Sequence, residues 1–334
     1  MKAAVFHGPR DVRFERIDRP VLKEGEALLQ VRACGICGSD LHTYRHGMFL
    51  QLGNPHESGR ILGHEFSGEI VEIGGDVSGI SIGDRVVSVG VGANAEFIKL
   101  TPMMIDSLVP FDESVSFVEA ATTEPLATSL HAARLGEAKD GETHVIMGAG
   151  IIGLGILQCI KASSSASVIL VDLSSKRLAK AKELGADVTI NASDKNAVDE
   201  VLALTGSTQL NVVEAVQGNV DAVYDCAGFG KNFKGISVLE QAMSMVKQNG
   251  KVVVVAVFEQ DVTIDYNMVV RKGIRVVGSW AWNREEFIEA FHLISSGKVD
   301  RKPLVSHTFK LEQASEAYET QLLAEEAIKV VFTP

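Results

Sequence analysis

The chain has 334 residues, 46% of them hydrophobic and 22% charged, with a formal net charge of −11 and a pI near 5.4. That is more chain than one simple core takes up, so two domains are expected. The acidic balance gives no electrostatic reason to bind nucleic acid or an anionic membrane, and no eighteen-residue apolar window marks a membrane span.

The segment Met1–Arg10 reads as a strand meeting a turn. It lacks the long apolar core of a secretory signal, so a cytoplasmic location is the expectation. Four cysteines (Cys34, Cys37, Cys159, Cys226) are too few for a disulfide scaffold of this size. Residues 1–100 read as β-rich, with apolar runs at Ala27–Val31, Glu69–Ile73 and Arg85–Val89 between glycine and proline breaks. The pattern then predicts one helix over 116–135, started by the Ser116/Glu119 capping signature and stopped at Gly136.

From residue 143 strands and helices alternate. Strands are predicted at His144–Met147, Val168–Val171, Val188–Ile190, Ala222–Tyr224, Lys251–Val255 and Ile274–Val277. A helix is expected at Lys176–Leu184, with Ser174 or Ser175 as its N-cap and Gly185 as its stop. Continuous Val/Ile strands argue for a parallel sheet buried on both faces, and six of them match a doubly wound dinucleotide fold. The tail adds a helix over Glu285–Ser295 and a strand-helix-strand end, with domain boundaries near 126 and 282.

Gly148, Gly150 and Gly153 follow a strand and open an apolar helix. In that context the first glycine permits a tight turn, the second admits a pyrophosphate, and the third lets helix pack close to strand. The amides of Ile151, Ile152 and Gly153 then stand at a helix N-terminus, where the dipole favours an anion. Asp172 ends the next strand, placed to accept from a ribose hydroxyl pair and to repel a 2′-phosphate, so NAD is expected over NADP. Arg177 follows; it meets the adenosine end or neutralises Asp172 in favour of NADP. A glycine-rich loop without a ligand is the plainer alternative, and the strand, helix and acid around this one argue against it.

A catalytic zinc takes three protein ligands and keeps one position open. Cys37, His64 and a glutamate satisfy that, with Glu65 and Glu124 competing for the third place. Glu124 stands in an otherwise apolar stretch, where a buried carboxylate needs a partner. No second Cys-x-x-Cys accompanies Cys34-Gly-Ile-Cys37, which excludes a four-thiolate site, and Cys34 reads as a packing residue. Ser39 can pass a proton outward and His42 can carry it to solvent, unless His42 is a plain loop histidine; Asp40 can orient His64.

Together these features resemble the zinc-dependent medium-chain dehydrogenase/reductase superfamily. The likeness is carried by Cys34–His42, Gly63-His-Glu-Phe-Ser-Gly68, Gly83-Asp-Arg-Val86, Glu124-Pro-Leu-Ala127, Gly148–Gly153, Asp225-Cys-Ala-Gly228 and Ser296-Gly-Lys-Val299. It is nearest to the polyol (sorbitol-type), butanediol and threonine dehydrogenases, which have a glutamate at the Glu124 position. The resemblance implies an α/β protein with a β-rich GroES-like catalytic domain, 1–125 and 283–334, around a six-stranded Rossmann NAD-binding domain, 126–282. It implies Cys37, His64, Glu65 and Glu124 as the zinc shell, Ser39 and His42 as the proton relay, and Thr128 and Ser279 near the cofactor. Tyr44, Trp280 and Trp282 join Ser39 as the expected substrate pocket.

Two departures matter. The four-cysteine lobe that holds a structural zinc in many relatives is absent between Ser88 and Phe97, so one zinc per chain is expected. Trp280-Ala-Trp282 stands where polyol dehydrogenases tend to carry an arginine-tyrosine sequence, which favours a substrate with hydrocarbon surface unless both indoles pack at an interface. The expectation is an NAD- and zinc-dependent dehydrogenase acting on a small secondary alcohol or ketone, as a homodimer or homotetramer. A metal-free NADPH enone or quinone reductase and a non-catalytic nucleotide-binding sensor are the alternatives.

Overall fold

The structure of the chain, a computed structural model, describes every residue except 58, 210–215, 229 and 231–234. The first segment supplies β1 (Lys2–Gly8), β2 (Asp11–Arg16), β3 (Glu26–Gly35), α1 (Gly38–His46), β4 (Asn54–His56), β5 (Gly59–Ile61), β6 (Glu65–Gly74), β7 (Arg85–Val89), β8 (Phe97–Leu100), α2 (Pro102–Asp106), β9 (Val109–Pro110) and α3 (Phe117–Ala120). Next come α4 (Thr123–Gly136), β10 (Thr143–Met147), α5 (Ile151–Ser163), β11 (Ser167–Asp172), α6 (Ser175–Glu183), β12 (Val188–Asn191), α7 (Ala197–Thr205), β13 (Ser207–Gln209), β14 (Val216–Gly218), β15 (Val220–Asp225), α8 (Val238–Met245), β16 (Val246–Val254), α9 (Tyr266–Lys272) and β17 (Arg275–Gly278). The tail supplies α10 (Arg284–Ser295), β18 (Val305–Phe309), α11 (Ala314–Leu322) and β19 (Lys329–Phe332). Two compact units result: Met1–Pro125 with Asn283–Pro334, and Leu126–Trp282.

In the middle unit six strands form a parallel sheet in the order β12-β11-β10-β15-β16-β17. Its central strands are buried almost end to end, as their Val/Ile composition requires once helices cover both faces. Val145, Val171, Val223, Met243 and Val252 meet in its core. The strand order reverses at β10, so the crevice beyond the carboxyl end of β10 is the natural ligand position.

The other unit is built on a seven-stranded sheet in the order β18-β19-β3-β6-β7-β9, with β8 also on β3, and a four-stranded sheet in the order β2-β1-β5-β4. The β3–β6 register decides where chemistry gathers. Gly35, the last residue of β3, pairs with Glu65, the first of β6. Residues just after β3 and just before β6 therefore emerge at one end of the sheet. The mixed α/β architecture is the GroES-like plus Rossmann arrangement expected from the sequence.

The single helix expected over 116–135 is two. Ser116 Oγ accepts from Glu119 N and starts α3, but the run breaks before α4 begins at Thr123. Pro125 has no amide hydrogen and its ring crowds the carbonyl four residues back, so an unbroken helix through Ala121 is unfavourable. Thr122 and Thr123 turn their hydroxyls onto the carbonyls of Glu119 and Ala120 at 2.6 and 2.7 Å, which satisfies part of the broken turn. Among the described residues no helix is long and apolar enough to cross a membrane.

Candidate active site

Cys37 is the N-cap of α1, in extended conformation. Its backbone amide donates to Asp40 Oδ2 at 3.0 Å, so the helix start fixes where the sulfur points. His64 follows Gly63, whose φ is +90° and whose missing Cβ makes room for the Asn94 amide; a side chain at 63 would collide with Asn94 Oδ1. One ligand-capable atom each from Cys37, His64 and Glu65 lies within 4.8 Å of the others. A thiolate, an imidazole and a carboxylate at that spacing are a zinc-type donor set.

The electrostatics fit a cation as well. Burial works against a charged His64, yet the Cys37 sulfur, Asp40 and Glu124 outweigh it and hold the imidazole well above the usual histidine range. The same negative groups, Asp40 and Glu124, would also favour a metal cation beside His64. Glu124 sits half-buried in the first turn of α4 and acts on His64 through this field; it is not one of the three converging groups.

Asp40 behaves differently from the expectation. Its Oδ1 stands 3.7 Å from His64 Nδ1, beyond hydrogen-bond range, and that nitrogen has no hydrogen-bond partner. Asp40 instead accepts from the amides of Cys37 and, at 3.4 Å, Gly63. It ties the two ligand-bearing loops together by their backbones. Ser39 Oγ is buried without a hydrogen-bond partner, and His42 lies one turn further along α1, with Arg45 at 3.4 Å from Nδ1 and Phe49 edge-on. The spacing of three residues puts Ser39 and His42 on one helix face. Tyr44, expected in a substrate pocket, is 1% exposed, packed on Tyr318 in the core. Its hydroxyl donates to Glu319 at 2.7 Å, and burial together with that carboxylate pushes it up to about 12. An aromatic at that helix position turned inward because α1 needs an apolar face against α11.

In the middle unit the three glycines answer to different demands. Gly148 has φ +111° and packs its Cα against the Cys226–Ala227 backbone. A Cβ at Gly153 would overlap the Gly148 carbonyl. Gly150 has ordinary backbone angles, and a Cβ there would meet nothing within 4 Å. The fold requires glycine at 148 and 153; the open space at 150 is where a pyrophosphate would approach. Gly150 is the N-cap of α5 and offers no side-chain cap, so the first-turn amides at Ile151, Ile152 and Gly153 face an end suited to an anion. Asp172 closes β11 with Oδ2 accepting from Ala149 N at 2.5 Å and Oδ1 from Ser174 N at 2.8 Å. Arg177 N in turn caps onto Ser174 Oγ at 3.3 Å. Thr128 is half-buried on α4.

After β17 the Ser279 amide donates to Val254 O at 2.8 Å, while its buried Oγ has no hydrogen-bond partner. Trp280 is 71% exposed, Ala281 takes the left-handed region at φ +56°, and Trp282 is half-buried. One residue of the metal group escaped sequence reasoning. Lys329 is 1% exposed, and its ammonium pairs with Glu65 Oε2. The signal was there: a lone charge in the apolar run Ala327-Ile-Lys-Val-Val-Phe332.

Comparison with known proteins places these features. Residues 23–102 match the alcohol dehydrogenase GroES-like domain, and residues 152–296 match the zinc-binding dehydrogenase domain. Sorbitol dehydrogenase of Bacillus subtilis (strain 168) is 30% identical over 363 residues, covering 100% of this chain and 97% of that protein. (R,R)-butanediol dehydrogenase of the same organism is 30% identical over 366 residues, covering 100% of both. The crystal structure of 2R,3R-butanediol dehydrogenase from Bacillus subtilis superposes with a TM-score of 0.84 at 29% identity, over 100% of this chain and 99% of that one. The chain therefore belongs to the zinc-dependent medium-chain dehydrogenase/reductase superfamily, in its polyol and diol dehydrogenase branch.

Proposed function

We propose that the chain is an NAD-dependent, zinc-requiring dehydrogenase of secondary alcohols, acting on vicinal diols or related hydroxy compounds that carry a hydrocarbon portion. Family membership supports polyol or diol oxidoreduction in general; the convergence of Cys37, His64 and Glu65 within 4.8 Å carries the finer reading. Those residues, with Glu124 at hand, would hold one zinc. When bound, zinc supplies Lewis acidity at the alcohol oxygen and NAD supplies the hydride acceptor.

The chain's own residues do the rest. Asp40 keeps the Cys37 and His64 loops at fixed separation. Ser39 Oγ, buried and without a hydrogen-bond partner, takes the alcohol proton and hands its own on, and the His42 ring carries it to solvent. Gly150 and the α5 amides would hold the pyrophosphate, and Asp172, which accepts from the Ala149 amide, would receive the ribose hydroxyls. Trp280 offers an apolar face with one donor and no acceptor, which suits hydrocarbon better than a fully hydroxylated chain.

We place the enzyme in the cytoplasm, as a homodimer or homotetramer. No disulfide joins the four cysteines, and β17 is an open sheet edge with Val276 exposed, available to a second copy. The test is a panel of alcohols and ketones followed by NADH absorbance. Turnover of secondary alcohols or diols above sorbitol and xylitol supports the reading. Binding of NAD with no turnover on any member of the panel contradicts it.

A further inference from the structure

The C-terminal strand reaches the metal group from behind. Residues Lys329–Phe332 of β19 are all buried, and the strand is held by antiparallel pairing of Val331 with Gly35 and Phe332 with Cys34. Ile36 N donates to Val330 O at 3.0 Å, and Val330 N to Gln321 Oε1 at 2.6 Å. Strand pairing thus delivers the Lys329 side chain to a fixed place. Its ammonium donates to Ile36 O at 2.8 Å and pairs with Glu65 Oε2, both side chains being 1% exposed. Gly35 makes the space. A Cβ there would overlap Glu65 Oε2 and stand 2.7 Å from Lys329 Cε.

A buried carboxylate without a counter-charge is costly. Glu65 shares its surroundings with Cys37 and Asp40, both of which are anionic when ionised, and Lys329 is in ion-pair contact with it. We propose that Lys329 is a built-in counter-ion that holds Glu65 in place in the metal-free chain and lowers the site's zinc affinity by competing with the metal for that carboxylate. The inference rests on the zinc reading above and deepens it. Lys329 is a positioning residue: it acts on the metal through Glu65. A cation already seated beside Glu65 stabilises the apo fold, and the same cation must give up part of its pairing when a second cation arrives.

Lys329→Gln separates these two effects, because it removes the charge while keeping an N–H donor on a side chain one atom shorter. The experiment uses the full chain, stripped with a chelator, and reads two quantities: the thermal midpoint of the apo protein, and zinc affinity by competition with a chromophoric chelator. The apo midpoint of Lys329→Gln is expected to fall by about 5 °C or more, while zinc binds at least about tenfold more tightly. Glu65→Gln alone should lower the apo midpoint by leaving a buried ammonium without its partner. The double variant Glu65→Gln/Lys329→Met should recover most of that loss, and this pair decides the counter-ion role if Lys329→Gln is not obtained folded. Unchanged apo melting in both single variants, or zinc affinity that stays constant or weakens in Lys329→Gln, overturns the proposal alone. A wild-type chain that takes up no zinc overturns the metal reading and the competition with it.

Discussion

In the unit Leu126–Trp282, built on the parallel sheet, the candidate site is made of backbone. Amides at 151–153, the turn at Gly148 and the bare Cα of Gly150 would do the binding, with Asp172 as the side chain that closes β11 beside them. In the other unit the site is made of side chains: a sulfur, an imidazole, carboxylates and a lysine, brought from the ends of β3 and β6, from α4 and from β19. A backbone site is set by one strand-turn-helix and tolerates change at every position where a side chain does not intrude. A side-chain site depends on strand register across the whole unit, so loss of any one of its converging donors, Cys37, His64 or Glu65, should be felt directly. The contrast predicts where substitution should be severe and where it should be mild.

The largest effect belongs to the side-chain site. Cys37→Ser should lose zinc and reduce kcat/KM at least about a thousandfold, since Lewis-acid stabilisation is worth several kcal/mol. Circular dichroism should show the chain still folded. Retained zinc with retained activity would show that Cys37 is not a ligand.

Asp172→Ser comes next, because it removes the carboxylate expected to repel a 2′-phosphate. A preference for NAD over NADP of about two to three decades in kcat/KM should relax toward parity. Comparable use of both cofactors by the unaltered chain would show that Arg177 outweighs Asp172.

The glycines sharpen the comparison. Gly150→Ala should leave thermal stability unchanged and weaken NAD binding by about tenfold, because its Cβ enters open space that a pyrophosphate needs. Gly153→Ala should do the opposite first, lowering stability by about 1–3 kcal/mol as its Cβ meets the Gly148 carbonyl. Calorimetry and cofactor titration on the two variants separate these outcomes; equal stability losses would mean that Gly150 is a fold glycine too.

The smallest effect is expected at Trp280. Trp280→Ala should raise KM for diols with hydrocarbon surface by severalfold, more than it lowers turnover. Unchanged kinetics across the panel would assign the indole to packing.

How much of this was legible in the sequence follows the same division. The glycine motif and Asp172 lie in one βαβ unit, so spacing along the chain equals spacing in space. Cys37 and His64-Glu65 were legible as motifs, but their meeting depends on the Gly35–Glu65 pairing, which no local pattern reveals. Lys329 was missed because its partner lies at the other end of the chain. Tyr44 was misplaced because proximity to Ser39 in sequence says nothing about which side of α1 faces the core. The break before α4 was hidden by good helix formers on both sides of Pro125, whose effect is steric rather than compositional.

We propose that zinc held by Cys37, His64 and Glu65 and a dinucleotide held at Gly148–Gly153 serve one alcohol substrate. This is tested most directly by following NADH formation from a secondary diol with chelator-stripped protein, before and after adding one equivalent of zinc per chain. No turnover is expected in the stripped protein, with recovery at one equivalent and no further gain from a second. Full turnover by the stripped protein would contradict it.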